Sequence, residues 1–122
     1  MYNIYDNFKS NFLPAEYMKS NQLNKEEVET LYKLRNRVVD LKENFKSSYQ
    51  QNMWCRTCFL FRESQPHLLQ CPAIVNKLKS EIDFKIIDYN MLFSSPANQV
   101  KIAKIYTIIL KTRLDLIEEL RN

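Results

Sequence analysis

Residues 55–71 read CRTCFLFRESQPHLLQC, and this stretch holds all three cysteines and the only histidine of the chain. The spacing is C-x2-C-x8-H-x3-C. A two-residue gap lets both thiolates of a turn reach one ion, and a three-residue gap places two ligands one helical turn apart on a common face. Three sulfurs and one imidazole favour zinc in a closed, structural tetrahedron. We therefore predict one structural Zn²⁺ ion bound by Cys55, Cys58, His67 and Cys71.

Two other interpretations of the cysteines stay open at this point. Cys55 and Cys58 alone could form a redox pair, although no βαβ pattern surrounds them. All four residues could instead be ordinary, with cysteines that act as small apolar side chains and a histidine at the surface. A disulfide framework is disfavoured because three cysteines leave one without a partner.

The knuckle that carries these residues spans residues 54–72. Pro66 is suited to open a short helix, PHLLQC, because proline is tolerated in a first helical turn. In that helix the two ligands would face the metal, while Leu68 and Leu69 turn toward the core. The metal would then join the knuckle to the rest of the domain.

The composition favours a small, mainly α-helical domain. The chain has 122 residues, 45% of them apolar, and contains no glycine. Glycine is the usual residue in hairpin turns and bulges, so an all-β fold is disfavoured. Phosphate-binding loops and dinucleotide fingerprints also need glycine and are excluded. We expect residues 23–122 to form one helical zinc-binding domain and residues 1–22 to form an N-terminal arm or short helix.

Two longer helices are predicted on either side of the knuckle. Asn24 followed by Glu27 is typical of a helix start, and we expect a helix over residues 25–46. Its apolar stripe comprises Leu31, Leu34, Val38, Leu41 and Phe45. Pro96, after two serines, predicts a second long helix over about residues 96–120. That helix is apolar on more than one face, so it is either the buried centre of the domain or an interface for a partner, including a second copy. A short helix is expected over AIVNKLKSEI.

The formal charge of +4 permits contact with nucleic acid but does not require it. Candidate phosphate contacts lie along the rims of the first helix and within the knuckle: Arg35, Arg37, Lys42, Lys46, Arg56 and Arg62. Trp54, Phe59 and Phe61 could stack on unpaired bases. Alternatively these rings cover the metal site and join the core, an interpretation we favour for Trp54.

Catalysis and membrane insertion find no support in the sequence. The single histidine is assigned to the metal, and the serines and paired glutamates have no neighbouring base to activate them. No run of about 18 uninterrupted apolar residues is present, and the N-terminus lacks the layout of a secretory signal. We expect a non-enzymatic, intracellular protein of the nucleus or cytoplasm that does not enter membranes.

An LRNR motif and an LKENF motif precede the knuckle, which itself ends in HLLQCP. These motifs comprise Leu34, Arg35, Arg37, Leu41, Lys42, Asn44, Phe45, Cys55, Cys58, Glu63, Ser64, His67, Leu68, Leu69, Cys71 and Pro72. Together they make residues 24–72 resemble the region after the polymerase domain in non-LTR retrotransposon reverse transcriptases. The resemblance implies a four-ligand zinc knuckle that helps to engage RNA or DNA. The paired catalytic aspartates of a reverse transcriptase are not found here, so it implies no polymerase activity.

Two functional hypotheses follow. The first is a zinc-stabilised module that binds RNA or DNA, with binding that weakens steeply as salt is added. The second is a protein-interaction or dimerisation domain that uses the C-terminal helix, in which zinc only stabilises the fold.

Overall fold

The computed structural model describes residues 23–45 and 52–121 and is mainly helical there, as predicted. Its α-helices are α1 (Lys25–Asn36), α2 (Pro72–Leu78) and α3 (Pro96–Arg121). Short 3-10 helices connect them, at Lys42–Phe45, Pro66–Leu69, Phe84–Ile86 and Tyr89–Phe93. The predicted arm over residues 1–22 lies outside the described residues, and so does Lys46.

Helix α1 begins where the sequence predicts. The Asn24 side chain accepts a hydrogen bond from the Glu27 amide (2.8 Å), and the Glu27 carboxylate accepts one from the Asn24 amide (2.9 Å). These reciprocal bonds satisfy two of the amides that a helix start leaves without partners. The capping box therefore fixes the first turn of α1.

The predicted C-terminal end of this helix is wrong, because α1 stops at Asn36 rather than continuing to residue 46. Arg37 adopts a left-handed backbone conformation (φ 54°, ψ 44°), and its amide donates to the carbonyl of Leu34. The Val38 amide donates to the Lys33 carbonyl at 3.0 Å. This pair of bonds is the Schellman arrangement, which ordinarily uses glycine at the left-handed position. In a chain without glycine, an arginine takes that role, and the usual sequence signal for a helix end is absent.

The early stop divides the predicted apolar stripe between two segments. Leu31 and Leu34 are buried on α1, and Leu41 is buried in the loop that follows. Phe45, expected at the end of the same stripe, is exposed. Apolar burial therefore continues past the end of the helix, while the helical periodicity does not.

Helix α3 begins at Pro96, as predicted, and packs along α1. Its buried face consists of Ile102, Ala103, Tyr106, Ile109 and Arg113. Across the contact, the hydroxyl of Thr107 donates to that of Thr30 at 2.9 Å. The apolar residues of this face join Leu31 and Leu34 in one core, so α3 supplies the centre of the domain.

A buried glutamine joins the start of the Pro66–Leu69 helix to the core. Gln65 donates to the Leu34 carbonyl (3.0 Å) and to the Tyr89 hydroxyl (2.7 Å), and it accepts from Asn44 (3.1 Å). The Tyr106 hydroxyl donates to the Gln65 carbonyl at 2.6 Å. Burial raises the pKa of Tyr106 above its ordinary value, so the hydroxyl stays protonated as a donor. These bonds hold the second half of the knuckle against the helices.

Among residues 23–45 and 52–121, no helix is both long and apolar enough to cross a membrane.

Candidate metal centre

The fold brings the four predicted ligands together. The sulfurs of Cys55, Cys58 and Cys71 and a ring nitrogen of His67 all lie within 4.8 Å of one another. Cys55 Sγ is 3.9 Å from Cys71 Sγ, and Cys58 Sγ is 3.4 Å from His67 Nε2. All three cysteines are free thiols rather than disulfides. The cluster is therefore positioned to bind a metal ion, as the spacing predicted.

A tight turn presents the first two cysteines. The Phe59 amide donates to the Cys55 carbonyl at 3.0 Å, and Phe59 itself is left-handed, with φ at 60°. This bend brings the Leu60 amide to 3.5 Å from Cys58 Sγ. The turn therefore brings a backbone amide within hydrogen-bonding distance of one predicted metal ligand.

The second pair of ligands comes from the Pro66–Leu69 helix and the residues that follow it. His67 and Cys71 are buried and flank Leu68 and Leu69, which are buried in the core. The short helix, its proline and the inward leucines agree with the prediction. Pro72 then opens α2, which fixes the position of Cys71 at the start of that helix.

The hydroxyl of buried Thr57 lies between two of the sulfurs, 3.1 Å from Cys55 Sγ and 3.2 Å from Cys71 Sγ. A hydrogen bond from Cys71 lowers the pKa of Cys55 against the effect of burial, and Thr57 acts in the same direction. The same bond and burial raise the pKa of Cys71. The two thiols are therefore coupled, because the ionised form of one is stabilised by a hydrogen bond from the other.

Behind the cluster lies a fully buried carboxylate that the sequence analysis did not identify as an ion-pair centre. Glu63 accepts hydrogen bonds from the backbone amides of Lys42 (3.0 Å) and Arg56 (2.9 Å). The Arg56 guanidinium also binds this carboxylate, and Arg113 of α3 lies 3.1 Å from it. Glu63 thus joins the loop after α1, the knuckle and α3 at one point.

The charge of Glu63 is strongly favoured. Burial raises its pKa, but the hydrogen bonds from Arg56 and the Lys42 amide, together with the charge of Arg113, outweigh burial and lower the pKa to about 2. Both arginines also donate to the Asp40 carbonyl at 3.0 Å. Sequence reasoning missed this network because Lys42 and Arg113 are distant from Glu63 along the chain, and the motif that contains Glu63 does not indicate an ion pair.

Within the described part of the chain, the basic residues predicted to contact nucleic acid do not form a single exposed patch. Lys42, expected on an exposed helix rim, is buried, and its ammonium donates to Asn52 (3.2 Å). The Arg56 guanidinium is engaged by the Glu63 carboxylate. Arg35 is partly exposed on α1 and Arg37 is exposed just beyond its end.

Two of these arginines do lie on one side of the molecule. Arg37 lines a small surface cleft together with Glu43 and Ser64. Arg62 reaches the same Glu43 carboxylate, at 3.3 Å, in an exposed ion pair. The structure therefore places Arg37 and Arg62 around a common acidic residue.

The aromatic residues of the knuckle are exposed. Trp54 is 55% exposed, so the expectation that it joins the core is wrong. Phe59 and Phe61 are 62% and 54% exposed. Of these three rings, Phe61 contacts a predicted ligand, with its ring centroid 5.4 Å from that of His67.

Comparisons with family models, curated proteins and solved structures returned no match to the chain. The resemblance of residues 24–72 to retrotransposon reverse-transcriptase tails therefore remains a prediction from its motif residues.

Proposed function

We propose that the chain is a zinc-stabilised module that binds RNA or DNA and carries out no chemistry of its own. The observation that supports this proposal most is that the knuckle has a buried side and an exposed side. Its ligands and Glu63 face inward, while its aromatic rings and Arg62 face the solvent. The resemblance to the retrotransposon tail supports the same function.

Zinc fits the ligand cluster in chemistry and in size. Three thiolates and an imidazole are ligands that zinc prefers, and four protein ligands complete its tetrahedron. Zinc–sulfur bonds of about 2.3 Å give sulfur–sulfur edges of about 3.8 Å in such a tetrahedron. The separation of 3.9 Å between Cys55 and Cys71 agrees with that edge. Participation of all four groups favours a metal site over a Cys55–Cys58 redox pair.

The test of the nucleic-acid function measures binding of fluorescently labelled oligonucleotides to the zinc-loaded chain by anisotropy, at 50 and 200 mM salt. We expect binding that weakens with salt and that weakens further in the double variant Arg37→Ala, Arg62→Ala. A matched control is Lys79→Ala with Lys101→Ala, which removes two exposed charges away from the knuckle sequence. Absence of binding at both salt concentrations would contradict the proposal.

A protein-interaction function is the second candidate, and the far end of α3 supports it. The buried residues Ile102, Tyr106, Ile109 and Arg113 recur at alternating intervals of four and three residues. The same register continues to Leu116, which is partly buried, and then to Leu120, which is 58% exposed. An apolar stripe that becomes uncovered along a helix is a typical partner contact.

Sedimentation analysis tests this second candidate. A dimer that Leu120→Lys dissociates would support it, and a monomer at all concentrations would count against self-association. Ile108→Lys is a useful control, because Ile108 is also exposed on α3 but lies on a different face.

A further inference from the structure

We infer that the outer face of the knuckle binds unpaired nucleotides, with the Trp54 ring as a stacking platform and Arg62 as the contact to phosphate. This inference rests on the proposed nucleic-acid function and narrows it to single strands. Two observations support it: the backbone pairing of Trp54 with Arg62, and the exposure of the Arg62 guanidinium.

Trp54 and Arg62 face each other in a short antiparallel pairing. The flanking bonds run from the Cys55 amide to the Phe61 carbonyl (2.7 Å) and from the Glu63 amide to the Met53 carbonyl (2.9 Å). This pattern makes Trp54 and Arg62 a non-hydrogen-bonded pair, in which the two side chains are close and lie on the same face.

Two neighbours of this pair, Cys55 and Glu63, point the other way. Successive side chains along extended backbone alternate between faces, and both Cys55 and Glu63 are fully buried. The face that carries Trp54 and Arg62 is consequently the outer one. Two inward anchors, a metal ligand and a buried ion pair, hold that face in place.

The exposed indole ring of Trp54 is suited to stack on a nucleobase. Each nucleobase has a flat face, so stacking on an aromatic ring is tolerant of sequence and contributes about 1–3 kcal/mol per base. Phe59 and Leu60, in the turn of the same knuckle, are also exposed apolar side chains. Bases of a duplex already stack on each other, so this surface is suited to unpaired ones.

The guanidinium beside the ring is available to a phosphate. The Arg62 side chain is 62% exposed, and its guanidinium forms an ion pair with the solvent-accessible Glu43. Exposed ion pairs of this kind contribute little stability, so exchange of the carboxylate for a phosphate is not costly. The arginine pairs bidentately with phosphate oxygens more readily than a lysine would.

The charge distribution makes stacking the larger contribution. Lys42 is buried and Arg56 is bound to Glu63, so Arg37 and Arg62 are the exposed basic candidates near the knuckle among the residues that the structure describes. Two phosphate contacts to a single strand give a slope of about −1.4 for log K against log salt. We therefore expect the affinity for single strands to fall only gradually as salt is added, rather than steeply as the sequence predicted.

Trp54 is the only tryptophan of the chain, so its fluorescence reports on this face directly. The experiment titrates the zinc-loaded full chain with labelled ten-nucleotide oligo-dT, oligo-U and a duplex of equal length. Tryptophan emission, excited selectively, and label anisotropy are recorded together. We expect both single strands to bind and to quench Trp54, and the duplex to bind more weakly without quenching.

Substitutions complete the test. Trp54→Ala is expected to weaken single-strand binding about 10-fold or more, and Trp54→Phe to restore part of the loss. Zinc content and the melting transition of each variant show that it is folded. Arg113 is not substituted, because its ion pair with the buried Glu63 stabilises the knuckle.

The possible outcomes distinguish stacking on Trp54 from the proposed nucleic-acid binding itself. Anisotropy that reports binding, with unchanged Trp54 emission and unchanged affinity in Trp54→Ala, overturns the stacking inference and leaves the nucleic-acid function standing. Tighter binding of the duplex also overturns the inference. No binding of any oligonucleotide at low salt overturns both the stacking inference and the nucleic-acid function. If the chain then self-associates and Trp54→Ala abolishes that association, the outer face of the knuckle binds a second copy.

Discussion

At the scale of single residues, Glu63 is the group on which the packing of the knuckle depends most. Its carboxylate is fully buried and binds two arginines and two backbone amides from three parts of the chain. Removing one partner of a buried ion pair is costly, because the remaining charges stay desolvated without compensation. Glu63 therefore belongs to the structural core of the protein although it is charged.

We predict that Glu63→Gln destabilises the zinc-loaded protein by about 3 kcal/mol at pH 7, since a neutral amide cannot compensate Arg56 and Arg113. Denaturant unfolding measures the difference. The control is Glu118→Gln, an exposed position on α3, where the change is expected to stay within about 0.5 kcal/mol. Equal stability of the two variants would show that the buried pair contributes no more than a surface charge.

The same residue gives a pH dependence with a definite sign. The pKa of Glu63 is lowered in the folded state from 4.5 to about 2, so its contribution is complete above pH 4.5 and is lost as the pH falls toward 2. The stability difference between wild type and Glu63→Gln is expected to shrink by roughly 1 kcal/mol between pH 7 and pH 3.5. Denaturant unfolding at a series of pH values measures it. A difference that grows on acidification would contradict the assignment.

At the scale of elements, the left-handed Arg37 determines where α1 ends. A side chain in this conformation costs roughly 1–2 kcal/mol relative to glycine, because its Cβ approaches the carbonyl oxygen. We predict that Arg37→Gly raises the free energy of unfolding by up to about 1 kcal/mol. Thermal or denaturant unfolding is the measurement.

The matched control lies two residues earlier. Arg35→Gly places glycine inside α1 and is expected to lower stability by about 1 kcal/mol. If both glycine variants were destabilised equally, α1 would continue through Arg37 in solution, as the periodicity of the sequence originally predicted.

The starts of the helices were predictable, but two of their ends were not: α1 ends at Asn36 rather than at residue 46, and α2 ends at Leu78 rather than at Ile82. Asn24 and Pro96 are local signals, and each opens a helix where the sequence places it. Without glycine, nothing local marks Arg37 as the end of α1. The four metal ligands were predictable because their spacing is itself local.

The contacts that sequence reasoning missed are long-range. Glu63 meets Arg113 across 50 positions of sequence, and neither residue has a pattern that suggests the pairing. Trp54 was expected to cover the metal site and join the core, yet the pairing with Arg62 places it on the outer face. Burial of a charge and exposure of an indole both depend on the tertiary fold rather than on residue type.

At the scale of the whole molecule, the ligand cluster joins the two halves of the chain. Cys55 and Cys58 follow the segment that contains α1, while Cys71 leads directly into α2. In a domain of this size the free energy of metal binding becomes free energy of folding. The metal-free protein is therefore expected to have a looser knuckle and weaker contacts between these segments.

We predict that Cys58→Ala and His67→Ala each abolish tight metal binding and broaden or remove the cooperative melting transition at neutral pH. Circular dichroism during heating, with and without a chelator, measures the effect. Asn76→Ala, on the exposed side of α2, is the control and should melt as the wild type does. Unchanged melting of the metal-free ligand variants would show that the cluster does not support the fold.

The most direct test of the central claim is zinc K-edge X-ray absorption on the chain purified without a chelator. We predict one zinc per chain, bound by three sulfurs at about 2.3 Å and one nitrogen at about 2.0–2.1 Å. An ion surrounded by oxygen ligands, or a chain that retains no zinc while it remains folded, would contradict the proposed role of Cys55, Cys58, His67 and Cys71.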